Sequence, residues 1–184
     1  LSLHDALPIC NLKAIHYTTD QEARIIQLSN IGEYGWQDSN VRYTTFEHTN
    51  NIKRSIVNEG ELVMAKMMPA GMTIERPNAD KMYVLSSDAV RIKLDQTRML
   101  NKFFLAVTKS EDFLEQISND SQGSTRSRTS ISKIRKMDVP ITTIEEQRKI
   151  GEYFSDLDKL IILYKQRLET ILKIKKALLK KMFV

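Results

Sequence analysis

The chain has 184 residues, 41% hydrophobic and 28% charged, a balance that supports one globular domain plus an extended element and excludes a disordered chain. Lys and Arg exceed Asp and Glu by 28 to 23, with an isoelectric point near 9.2; this favours an anionic partner, nucleic acid first and an anionic membrane face second. No run approaches the roughly eighteen apolar residues of a membrane helix, and one Cys with three His excludes a disulfide framework and argues against a zinc site. A reducing cytoplasm is the expected location.

Residues 1–9, LSLHDALPI, back-translate to a string similar to a common sequencing-library adapter, and the codon of Cys10 fits the junction. We therefore expect residues 1–10 to be read-through rather than native chain, with His4 and Cys10 carrying no function. From residue 11 to about residue 95, short apolar runs alternate with turn residues. Strands are expected at 24–28, 61–66, 81–85 and 89–94, the last alternating apolar and basic residues at the period of a half-buried strand.

Helical spacing takes over near Arg98, with Met99, Phe103, Ala106 and Val107 on one face. Ser110 before Glu111 and Asp112 reads as the N-cap of a second helix ending near Ser118. Residues 119–132 are polar and rich in Ser, Thr and Arg, the composition of a loop. Thr143 and Glu146 then form a capping box. Beyond them Ile150, Phe154, Leu157, Ile161, Tyr164, Leu168 and Ile171 recur at alternating spacings of four and three, and Leu178 and Met182 resume the series. That is a heptad seam, expected on a rod of about 60 Å that a small domain cannot cover. The seam needs a partner.

No catalytic pattern is visible. His16 and His48 lack the companions of a triad, no glycine loop cradles a phosphate, and Asp156 with Asp158 reads as a solvated face. Three loops have the composition of DNA contacts. The first holds Asn30, Tyr34, Trp36 and Gln37, mixing hydrogen-bonding and stacking groups; a turn with Trp36 tucked into the core fits equally well. The second runs from Lys66 and Met67 through Gly71 to Arg76, a shaped loop with two adjacent Met. The third holds Ser124, Thr125, Arg126 and Arg128, whose hydroxyls and guanidinium groups suit phosphate oxygens, although a linker has the same composition.

The segment MDVPITTIEEQRKI at 137–150 resembles the "IPLPPLEEQKKI" stretch closing each target-recognition domain of type I restriction–modification specificity subunits. Upstream, GSTR at 123–126 followed by Ile131 and Ile134 is similar to that family's "GSTR…I…L" segment, and residues 100–117 to its "YLYYYLKSPEFLEQI" helices. Residues 60–63 stand for its "GDIL", residues 24–31 for its "YIRIGDI" strand, and residues 160–183 for its long helix. Thr142 and Thr143 replace the usual Pro-Pro or Pro-Leu pair while Thr143 still caps, and the 67–71 loop replaces a more common Ser-Gly loop, which leaves the bases it reads open.

The resemblance implies an α+β protein: a mixed α/β target-recognition domain over 11–140, followed by a long coiled-coil helix over 141–184. It implies a non-catalytic subunit that reads one half of a bipartite double-stranded DNA target. Its long helix would pair antiparallel with that of a second recognition domain or a homodimer partner, through Ile150, Phe154, Leu157, Ile161, Tyr164, Leu168, Ile171 and Leu178. Modification (methyltransferase) and restriction subunits are the expected partners, and S-adenosylmethionine, ATP and Mg2+ would sit on them, leaving this chain without cofactor or metal. Two alternatives stay open: the recognition portion of a single-chain restriction–methylation enzyme, and a coiled-coil interaction protein without specific DNA binding.

Overall fold

A computed structural model describes residues 12–67, 70–77, 81–118 and 129–183, with the backbone of Ala6–Leu7. The strands are β1 (Ala6–Leu7), β2 (Ala23–Ile26), β3 (Ile31–Gly32), β4 (Gly35–Trp36), β5 (Tyr43–Thr44), β6 (Ile56–Val57), β7 (Leu62–Ala65), β8 (Thr73–Glu75), β9 (Met82–Leu85) and β10 (Ala89–Ile92). Among the described residues one α-helix, α1 (Phe46–Asn51), lies between the strands with three short 3-10 turns, and α2 (Asn101–Val107), α3 (Glu111–Ser118), α4 (Ile131–Ile134) and α5 (Ile144–Met182) follow. The architecture is α+β, as the resemblance implies.

Two four-stranded sheets have the orders β1-β10-β7-β8 and β5-β2-β9-β6, and β3 and β4 form a separate hairpin. All pairings are antiparallel except β2 with β9. The strand positions expected from sequence hold with shifted ends: β2 starts one residue earlier and stops two earlier than expected, and β7, β9 and β10 are one to two residues shorter. All four residues of β7 are buried, because alternate side chains of a strand point to opposite faces and both faces are covered. Leu62 and Met64 join a core with Met99, Phe103, Phe104, Phe113, Ile117 and Ile134; Val63 and Ala65 join a second core with Ile26, Ile31, Tyr83 and Leu85.

The half-buried strand expected at 89–94 is instead central, flanked by β1 and β7. Its basic residue Arg91 is nearly covered, donates to the Ile56 carbonyl, and lies 3.5 Å from the Glu61 carboxylate. No period in the sequence marks β5, β6, β8 or α1; each is six residues or shorter, too short for a period to show. The Arg98 helix starts three residues later, after a turn in which Asp95 accepts from the Thr97 N–H and hydroxyl. Ser110 does cap α3, its hydroxyl accepting from Phe113 N–H at 3.3 Å. The loop expected over 119–132 ends earlier, since Ser130 caps a helical turn from Ile131; residues 119–128 lie outside the described residues.

Of the capping box expected at Thr143, the N-cap half is present: the Thr143 hydroxyl accepts from Glu146 N–H and opens a helix of 39 residues, while the Glu146 carboxylate accepts from the Thr142 hydroxyl instead. The first turns of α5 lie against α2. Gln147 is fully buried there, and Gly151 sits so close that a Cβ would come within 2.7 Å of Phe103 N. From Phe154 onward the seam residues are exposed, from 37% at Leu157 and Ile161 to 72% at Met182. The helix is therefore half anchor and half free rod.

Candidate nucleic-acid interface

Several residues singled out as DNA contacts are consumed by the fold. Asn30 is fully buried: its side-chain oxygen accepts from Gln27 N–H at 2.9 Å, and its amide donates to the carbonyls of Gln37 and Ser39 at 3.0 and 2.6 Å. It braces the segment around the β3–β4 hairpin and cannot present both amide atoms to a base. Trp36 is half-buried, edge-on to Tyr83 with ring centroids 5.5 Å apart. Arg24 lies 5.0 Å over the indole, and its guanidinium meets Asp38 at 2.5 Å, which holds the Asp38 carboxyl below the usual carboxylate range. This is the tucked arrangement the sequence left open. Gln37 is exposed.

In the second loop, Lys66 is 1% exposed. Its backbone N–H donates to Asp88 and its carbonyl accepts from Thr129, tying the end of β7 to two distant segments and removing the ammonium from solvent. Arg76 lies 5.1 Å over the Tyr83 ring and donates to the Lys81 carbonyl at 2.8 Å. Met67 is half-buried. Gly71 does shape the loop: it has φ +88° and a Cβ there would strike Ile117, so only glycine fits. Ser124, Thr125, Arg126 and Arg128 lie outside the described residues.

Tyr34, at the tip of the β3–β4 hairpin, lies against α5. Its ring has Lys165 Nζ over it at 4.0 Å and Lys109 Nζ at 5.5 Å. Asp158, read from sequence as solvated, is 30% exposed and pairs with Lys109 at 2.5 Å. Asp156 pairs within the helix with Lys159, 2.7 Å away, an exposed pair that contributes little. His16 and His48 do not stand apart: their rings stack 3.9 Å apart.

A polar groove of about 500 Å³ that the sequence reading missed lies between the β2–β5 edge and the turn before β10, lined in part by Ser29, Asn40, Arg42, Ser86, Ser87 and Asp88. Asn40 and Arg42 are exposed, and Asn40 holds φ +47°, a conformation Asn tolerates better than most residues. These residues are scattered along the chain, so only folding brings them together.

The charge is distributed unevenly. Residues 160–184 hold seven of the 28 Lys and Arg and one of the 23 Asp and Glu, which leaves 21 against 22 over residues 1–159. The basic excess that pointed to an anionic partner therefore belongs to the distal helix. At 100° per residue, Lys165, Lys173, Lys176 and Lys180 fall on one side of that rod, the side that carries Gln147 and Gly151 further back. The apolar strip lies beside it. Ile150 is a correction: it packs against the domain's own helical core and adds little to an outward seam, whereas Leu157, Ile161, Tyr164, Leu168, Ile171 and Leu178 are open.

The structure is thus an α+β domain carrying a rod whose apolar strip the domain leaves uncovered. The chain belongs to the type I restriction modification DNA specificity domain family, whose model matches residues 11–173. Its fold is similar to a chain from a type I R-M system solved for complex assembly and conformational transition, with TM-score 0.67 and 13% identity over 96% of this chain and 42% of that one. It is also similar to the HsdS subunit from Thermoanaerobacter tengcongensis, with TM-score 0.55 and 10% identity over 89% of this chain and 37% of that one. The type I S subunit from M. genitalium gives TM-score 0.56 and 15% identity, over 96% and 42%. The chain thus spans less than half the length of these solved chains. Among curated proteins, none matches.

Proposed function

We propose that this chain reads one half of a bipartite DNA target for a type I restriction–modification complex and has no catalytic step of its own. The observation that carries this is the pairing, in a chain of this family, of a recognition domain with a rod whose apolar strip the domain leaves open. The rod would pair with the long helix of a second recognition domain or of a second copy. Methyltransferase and restriction subunits would then be positioned by the assembly and would carry S-adenosylmethionine, ATP and Mg2+.

Base-edge contacts fall to the polar groove at Asn40 and Arg42, and to the exposed Gln37, because Asn30, Lys66 and Trp36 are spent on the fold. Asn suits a bidentate contact to adenine and Arg one to guanine, each discriminating by about 1–3 kcal/mol. Phosphate contacts fall to Ser124, Thr125, Arg126 and Arg128. The near-neutral recognition region gives little general attraction of its own, so these few groups matter more than the net charge would imply.

The test is duplex binding by the chain assembled with methyltransferase subunits, across a salt series. Specific retention of a target duplex is expected. Arg126→Ala with Arg128→Ala should flatten the slope of log K against log salt by about one to two units, at roughly 0.9 per phosphate contact. Asn40→Ala with Arg42→Ala should instead relax the choice of sequence. No duplex affinity even at low salt would leave the chain as a coiled-coil interaction protein.

A further inference from the structure

The recognition domain grips α5 at two separated points. The first is the α2 contact at Gln147 and Gly151. The second is the tip of the β3–β4 hairpin, where Glu33 and Tyr34 meet Lys165, with Glu33 Oε2 at 4.0 Å and the Tyr34 ring at 4.0 Å from the ammonium. Lys109 on the segment after α2 joins them, 5.5 Å from the same ring and 2.5 Å from Asp158. Fourteen residues separate Gly151 from Lys165, about 21 Å of helix. The intervening space is incompletely filled: a cavity of about 230 Å³ lies between the hairpin tip, α2 and α5. The hairpin reaches the rod with its tip alone.

One contact point fixes a rod's position, and a second fixes its direction. We propose that Tyr34, with Glu33, is a positioning residue: a strut that sets the angle of α5 against the recognition domain and thereby the separation of the two DNA half-sites. The second clause rests on the DNA-reading function proposed above, and the first does not. The lever is long. From Gly151 to Met182 the rod spans about 46 Å, so a 10° tilt displaces its far end by about 8 Å. DNA rises 3.4 Å per base step, so that tilt shifts the second half-site by about two base pairs.

The partners suit the task. A cation over an aromatic face holds a direction while tolerating small slides, and Lys165 and Glu33 are both more than half exposed, so their ion pair alone would be weak. The ring is what makes the contact directional.

The experiment measures the angle and its consequence separately. In the full chain with Cys10→Ser, spin labels are placed at Glu47→Cys on α1 and Lys180→Cys on the distal helix, diluted into unlabelled chain. The parent should give one narrow distance distribution. Tyr34→Ala should shift or broaden it by several ångström, and Tyr34→Phe, which keeps the ring face, should leave it unchanged. Lys165→Ala removes the same contact from an exposed helix position, and so reads the strut even if Tyr34→Ala perturbs the hairpin. Unchanged distances in folded Tyr34→Ala or in Lys165→Ala would overturn the strut. In the complete restriction–modification system, methylated-site mapping should show Tyr34→Ala accepting altered spacers between unchanged half-sites. Moved distances with an unaltered spacer would overturn the spacing claim. Loss of all DNA affinity in the parent would instead condemn the DNA-reading function and leave the distance result standing.

Discussion

The side-chain oxygen of Gln147 accepts from the backbone N–H of Leu100 at 2.9 Å, across 47 residues of sequence. Its amide donates to the carbonyls of Arg98 and Thr142, both at 2.9 Å. One fully buried glutamine thus closes the N-terminus of α2, which has no side-chain cap of its own, and pins the start of α5 to it. Removing it leaves up to three backbone groups short of a partner, a loss of about 2–4 kcal/mol. Gln147→Leu should lower the melting temperature by about 5–12 °C, measured by thermal unfolding. Gln147→Glu should also destabilise at neutral pH, because a carboxylate facing two carbonyls has no N–H to give. A melting temperature unchanged in both variants would show that the staple contributes nothing.

Gly151 marks the closest approach of α5 to α2. An added Cβ would meet Phe103 N at 2.7 Å and Lys102 C at 2.9 Å, backbone atoms that cannot swing aside. Alanine improves helix propensity by about 1 kcal/mol, but forcing the helices apart costs about 1–3 kcal/mol. Gly151→Ala should therefore come out neutral to about 2 kcal/mol less stable in denaturant unfolding, never more stable. A raised unfolding midpoint would mean the two helices separate freely.

The exposed strip is expected to assemble the chain. Leu157 and Ile161 are each 37% exposed, and burying such side chains contributes on the order of 1.5–3 kcal/mol apiece, with a desolvation cost added when a carboxylate replaces them. Leu157→Asp with Ile161→Asp should weaken self-association or helix pairing at least a hundredfold, about 2.7 kcal/mol, while the domain stays folded. Sedimentation of both proteins checks this. A parent chain that stays monomeric at tens of micromolar, and binds methyltransferase subunits as well after substitution as before, would remove the strip from assembly.

The stacked histidines make stability pH-dependent. Burial first, and then the charge of His16, hold the His48 imidazole below its ordinary value of 6.5. The unfolded chain therefore binds the proton more readily than the folded one. That stability is fully present above pH 6.5 and is lost as the pH falls through the unfolded value toward the lower folded one. Between pH 7.5 and 5.0 the urea midpoint should fall more for the parent than for His48→Phe, which keeps a ring for the stack. Equal falls would assign the acid loss to carboxylates alone.

What the sequence determined by itself is the rod and its cap. Residues 144–182 carry their period locally, and Thr143 with Glu146 needs no distant partner, so both were legible residue by residue. The strands around Ile25, Val63 and Val84 were legible too, since apolar runs bounded by turn residues survive without neighbours. The EEQ motif pointed to a family, but not to the role of Gln147, because its partners at Arg98 and Leu100 lie nearly fifty positions away. The tertiary structure decided the rest by competition for the same polar groups. Asn30, Lys66 and Trp36 have the composition of a DNA-reading loop, and the fold buries or packs them because its own carbonyls and rings lie within reach. Asn40 and Arg42 were left in the open by the same packing. Tyr34 was turned toward α5 because a hairpin, a helix and a rod from three parts of the chain converge there, and no local period encodes that convergence.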